Sequence, residues 1–131
     1  MVLSSFFHPF RLHVSSFLLD GPALRAIALM LYADWLIADS NMSFVNSDIW
    51  PVLKLDLDYT MNTWNQTGYD LWEEVSSSSF FTTAVQHRAL RTGAALATKL
   101  GQTSVVSSYS TQADNVLCFL QVRGLHKYFE R

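Results

Sequence analysis

Three carboxylic acids, Asp70, Glu73 and Glu74, fall within five residues of one another in the stretch Trp64-Asn65-Gln66-Thr67-Gly68-Tyr69-Asp70-Leu71-Trp72-Glu73-Glu74-Val75. The rings of Trp64, Tyr69 and Trp72 stand among them. Carboxyl groups beside aromatic surfaces suit the cleavage of glycosidic bonds. An acid kept neutral by an apolar wall can protonate the oxygen between two sugars. Ionised neighbours can accept hydrogen bonds from sugar hydroxyls, and a ring gives a sugar an apolar face to rest on. A plainer reading uses the same residues. Acids collect near helix N-termini, where they meet the positive end of the helix dipole, and Val75 to Phe81 reads as the approach to a helix. From the residues alone, both readings stand.

No other cluster competes with this one. His8 and His13 are two residue types that bind metals, but no second set of ligands accompanies them, so no metal is expected. Cys118 is the single cysteine. It has no internal disulfide partner and reads as a small buried hydrophobe. Asn41-Met42-Ser43 and Asn65-Gln66-Thr67 are glycosylation sequons, which makes Asn41 and Asn65 candidate acceptors.

Half of the 131 residues are hydrophobic and 15% are charged, which allows one domain with a sizeable core. A net charge of −2 points to neither nucleic acid nor an anionic membrane as partner. The charge is uneven. Residues 20–122 hold ten acids and five bases, whereas residues 123–131 hold three bases and one acid. Residues 1–19, MVLSSFFHPFRLHVSSFLL, carry one formal charge, Arg11. No base precedes their apolar run, and Pro9, Arg11 and two histidines interrupt it, so they make no convincing signal peptide. No stretch reaches the roughly 18 uninterrupted apolar residues of a membrane helix.

The elements that must hold the acids are helical. Asp20 reads as an N-cap, with Gly21 and Pro22 in the first turn. Ala26, Leu29, Met30, Ala33 and Ile37 then recur at helical spacing, which predicts a helix over 21–38. Ser47 is expected to cap a second helix over 48–63, with Ile49, Val52, Leu53, Leu57 and Met61 inward and Lys54, Asp56 and Asp58 on the other face. Pro51 is tolerated in its first turn. Gly68 allows a sharp turn into the acids. The serines at 76–79 offer caps for a third helix, over 79–100, with Phe81, Val85, Ala89, Leu96 and Leu100 on its core side and Gly101 as its stop. His87 reads as a structural residue of that helix. Gln102 to Tyr109 reads as a polar loop. Ser110 or Thr111 then caps a fourth helix over 112–122, with Ala113, Val116, Leu117 and Leu120 inward. No period-2 strand pattern appears.

WNQTGYDLWEEV, followed by SSFFTTAVQHRAL at 78–90, closely resembles fungal glucoamylases of glycoside hydrolase family fifteen. Asp20-Gly21-Pro22-Ala23-Leu24-Arg25-Ala26 is similar to that family's DGPALRA. The run Ile49 to Tyr59 resembles its WP-hydrophobic-DL-Y pattern, and Gln112-Ala113 through Leu117-Cys118-Phe119-Leu120-Gln121 resembles its QAP-x-ILCFLQ. The four blocks occur in family order and with family spacing.

The resemblance implies an all-α fold, a consecutive part of an (α/α)6 toroid with about four helices. It implies a secreted, monomeric, cofactor-free enzyme that releases glucose from the ends of starch or maltooligosaccharides with inversion. Glu73 matches the family's general acid. Asp70 and Glu74 match residues that tune it and bind the sugar. Tyr69, Leu71, Trp72 and Asp20 match positions lining the same pocket. Inversion also needs a second carboxylate, roughly 6.5–9.5 Å from the acid. The family's base lies far downstream, beyond the matched blocks, so the chain by itself is expected to lack turnover and at most to bind maltose-like sugars.

The resemblance divides the chain into a non-family segment at 1–19, a partial catalytic domain at 20–122 and a basic tail at 123–131. Before DGPALRA the family carries Trp-Gly-Arg-Pro-Gln and often Arg, where this chain has Val14, Ser15, Ser16, Phe17, Leu18 and Leu19. The family disulfide-bonds a cysteine at the place of Cys118 to a distant downstream partner. Two further family cysteines correspond here to Val106 and Tyr109. Part of a ring leaves apolar faces uncovered, which predicts a tendency to aggregate.

Overall fold

The computed structural model describes the backbone of residues 19–66, 68–69, 76–77 and 79–129, and the side chains of 19–66 and 79–122. Within these the chain is helical: α1 (Gly21–Ala38), α2 (Met42–Phe44), a π-helical turn (Val45–Ile49), α3 (Trp50–Thr63), α4 (Phe80–Lys99) and α5 (Thr103–Phe129). One antiparallel ladder, β1 (Gly68–Tyr69) with β2 (Ser76–Ser77), pairs Gly68 with Ser77 and Tyr69 with Ser76. This two-residue pairing is too short to leave an alternating pattern in the sequence.

Side-chain contacts fix how the helices run. Gln86 meets Leu19 and Lys99 meets Asp34, so α4 lies parallel to α1. Asp58 meets Tyr109 and Trp64 meets Gln112, so α5 lies parallel to α3. α4 and α5 form an antiparallel hairpin turned by Leu100, Gly101 and Gln102. The core lies between these helices, with Met30, Val45, Leu53, Leu57, Leu90, Tyr109 and Val116 almost wholly shielded from solvent. A buried aliphatic side chain of this kind contributes about 1.5–3 kcal/mol.

α1 has the predicted bounds, and Ala26, Met30 and Ala33 are buried as expected. Its length and mean hydropathy would also suit a membrane-crossing helix. Arg25 and Asp34 interrupt the apolar run, and the helix packs against α3 and α4. Asp20 precedes the helix but does not cap it: its backbone is already helical (φ −85°, ψ −29°) and its side chain makes no cap bond.

The second helix starts earlier than expected. Ser47 does not cap it; its hydroxyl donates to the carbonyl of Ser43, one turn back (3.1 Å), inside a helical run that begins at Met42. Leu53 and Leu57 are buried as expected, with Ile49 and Met61 partly buried against the same core, and Trp50, Asp56 and Thr60 complete the buried stripe. Val52 is exposed. Thr60 can be buried because its hydroxyl donates to the carbonyl of Asp56 (2.8 Å). Asp56 is buried, contrary to its predicted outward placement, because Arg25 reaches it from α1.

α5 departs furthest from the sequence reading. It starts at Thr103, so the serine-rich run through Tyr109 is helix rather than loop, and neither Ser110 nor Thr111 is a cap. Tyr109 is fully buried and its hydroxyl donates to Asp58 (2.7 Å). Burial, with Asp58 alongside, pushes the Tyr109 phenol far above its ordinary range. Ala113 and Val116 face the core as expected, whereas Leu117 and Cys118 are exposed, as is Phe81 on α4. Cys118 sits two positions beyond Val116, on the side of α5 turned away from the core, and so is not the buried hydrophobe expected.

Candidate functional site

The parallel run of α1 and α4 brings their N-termini to one end of the molecule. α3 delivers the chain to that same end, where Trp64 follows Thr63. The Trp64 indole N–H donates to Gln112 on α5 (2.9 Å), and its ring meets Phe119 edge-on with centroids 6.0 Å apart. The base of the connection into α4 is therefore anchored to α5. Asn65 follows on the surface. The β1–β2 ladder then holds the two ends of segment 70–75 together by pairing Tyr69 with Ser76.

Asp70, Leu71, Trp72, Glu73 and Glu74 lie outside the described residues, as does the side chain of Tyr69, and so do His8 and His13. What the structure places is the helix ends that the acid segment connects. Asp20 stands at the start of α1 and is 5% exposed. Thr82, Thr83 and Gln86 form a buried polar patch on the first two turns of α4. Gln86 joins the two helices through its amide N–H, which donates to the carbonyl of Leu19 (3.1 Å). The positive ends of two helix dipoles thus converge at the end that carries the acid segment, an arrangement that favours negative charge there. Asn41 and Asn65 are both exposed and lie at helix ends.

Two features escaped the sequence reading. The Arg25–Asp56 pair ties the DGPALRA block to the WP-hydrophobic-DL-Y block: the Arg25 Nε donates to one carboxylate oxygen (2.8 Å) and a terminal nitrogen to the other. The hydrogen bonds and charge of Asp56 raise the Arg25 guanidinium above its ordinary range. Gln86 is the second. A glutamine inside a helix pattern carries no mark of burial, and only the approach of α1 shows why it is there.

Residues 15–130 match the model of the glycosyl hydrolases family 15. Glucoamylase-1 of Schizophyllum commune is 65% identical over 102 residues, which are 78% of this chain and 17% of that protein. Glucoamylase P of Amorphotheca resinae is 54% identical over 109 residues, 83% of this chain and 17% of that one. Among solved structures, that of Hormoconis resinae glucoamylase superposes with a TM-score of 0.73 at 52% identity, covering 79% of this chain and 17% of that chain. Saccharomycopsis fibuligera glucoamylase gives 0.70 at 29% identity, covering 78% and 23%. The chain thus spans about a sixth of the length of the first two relatives. Its helices are a consecutive part of an α/α toroid. With four sequence blocks, a family model over most of its length and two superposed structures in agreement, the chain belongs to glycosyl hydrolase family 15.

Proposed function

We propose that this chain carries the acid side of a glucoamylase site, which releases glucose from the non-reducing ends of starch and maltooligosaccharides with inversion, outside the cell. The observation that carries the reading is the convergence of the α1 and α4 N-termini, with the buried Asp20, on the end where the acid segment connects α3 to α4. Glu73 donates its proton to the glycosidic oxygen as the bond to the terminal glucose breaks. Asp70 and Glu74 disfavour a further negative charge on Glu73 and so keep it protonated near neutral pH. Asp20, Tyr69, Leu71 and Trp72 line the sugar pocket. No cofactor or metal takes part in this reading. Asn41 and Asn65 are proposed glycan acceptors on the exposed surface.

A second reading is sugar binding without turnover, favoured by the small share of the relatives that the chain spans. Inversion needs a base across the sugar from Glu73 to activate water. Glucose release from maltose by the purified chain separates the two readings. Release abolished by Glu73→Gln supports hydrolysis. Saturable maltose binding without release supports the binding reading, and neither release nor binding would overturn both.

A further inference from the structure

Gln86 is 1% exposed, and only half of its carboxamide is satisfied. Its nitrogen donates to the carbonyl of Leu19 (3.1 Å), while its oxygen is buried with no hydrogen-bond partner among the described residues. The amide cannot be turned round, because its oxygen would then face the carbonyl oxygen of Leu19. The bonded carbonyl belongs to the peptide that leads into Asp20. Asp20 leaves the α1 N-terminus uncapped, and a side chain built on Gly21 would meet nothing within 4 Å among the described residues. A buried acceptor without a donor thus stands in the contact between α4 and the start of α1.

We infer that Gln86 is a positioning residue: it pins the Leu19–Asp20 peptide, and so sets where the Asp20 carboxylate stands in the proposed sugar site. The inference rests on the reading of Asp20 as part of that site. Without the Gln86–Leu19 bond, the Leu19–Asp20 peptide is free to shift and the Asp20 carboxylate moves with it.

The test uses the full 131-residue chain with the Asp20 carboxyl carbon followed by NMR across a pH series. Maltose affinity is measured in parallel. Gln86→Leu is expected to move the Asp20 resonance and to weaken maltose binding about tenfold, the loss of one oriented hydrogen bond. Val116→Ala, a core truncation away from the site, lowers the melting temperature but leaves both readings in place. Gln86→Glu restores the native Asp20 resonance at acid pH, where the neutral carboxyl donates to Leu19, and loses it as the new carboxyl ionises. An Asp20 curve identical in wild type and folded Gln86→Leu overturns the inference. If Gln86→Leu does not fold, an Asp20 resonance in Gln86→Glu that ignores the ionisation of residue 86 overturns it equally. If the Asp20 resonance moves but the wild type binds no maltose, the positioning role stands and the sugar reading of the site falls.

Discussion

Arg25 on α1 grips Asp56 on α3 through both carboxylate oxygens, with Nε 2.8 Å from one of them. The two side chains are unequally placed: that of Asp56 is 8% exposed and that of Arg25 63%. Removing the arginine leaves a carboxylate in the α1–α3 seam without its cation. Breaking a fully buried pair costs about 3–5 kcal/mol, and water at the arginine reduces that here. Arg25→Met is expected to cost about 1–2 kcal/mol, read as a lower urea midpoint. The double variant Arg25→Met, Asp56→Leu should recover most of the loss, because no unpaired charge remains.

Gly93 marks a second close contact, between α4 and α3. A Cβ added there would lie 2.7 and 2.8 Å from the two methyl carbons of Leu57, which is itself fully buried. Alanine in place of a mid-helix glycine gains about 1 kcal/mol of helix propensity. Forcing extra volume into a packed core costs about 1–3 kcal/mol. Overpacking wins, so Gly93→Ala should destabilise the chain by about 1 kcal/mol. Combining it with Leu57→Ala should cost less than the sum of the two single changes, since the truncated side chain vacates the space.

Two helices end in the same way but with different residues. After α4, Gly101 adopts φ +75°, and the amides of Gly101 and Gln102 return to Thr98 and Ala97. After α1, Ser40 adopts φ +64°, and the amides of Ser40 and Asn41 return to Ile37 and Leu36. Both are left-handed C-terminal turns, which glycine adopts without the crowding a Cβ brings. Ser40→Gly should raise stability by about 1 kcal/mol and Gly101→Ser should lower it by a similar amount, measured by thermal unfolding.

What the sequence conveyed follows from how locally each feature is encoded. α1 and α4 could be bounded closely because Gly21-Pro22 and Gly101 punctuate them and their apolar residues keep helical spacing. The start of α5 could not, because Thr103 to Ser110 is serine-rich, and serine favours turns as readily as helix. What marks this stretch as helix is tertiary packing, including Tyr109 reaching Asp58 on α3, a contact between residues 51 apart in the chain. The inward turn of Asp56 was hidden for the same reason, since a carboxylate reads as outward until Arg25 is brought beside it. Family likeness singled out Asp20, but its burial, like the contact of Gln86 with Leu19, needed the helices to be set side by side.

His87 carries a pH dependence whose direction is set by its surroundings. Its Nε2 is buried, with no hydrogen-bond partner among the described residues. Burial lowers its pKa below the ordinary 6.5, the charge of Arg91 lowers it further, and Asp114 opposes them in part. The fold thus prefers the neutral imidazole, and the unfolded chain binds the proton more readily. The contribution is complete above the unfolded value of 6.5 and is lost as pH falls through the lower folded value. Urea unfolding at a series of pH values from neutral to about 5 should show the midpoint dropping once pH passes below the ordinary histidine value. His87→Leu has no proton to take up, so the difference between the two curves isolates this residue from the other histidines. Parallel curves for wild type and His87→Leu across that range would show that the half-buried imidazole contributes nothing to the acid sensitivity of the fold.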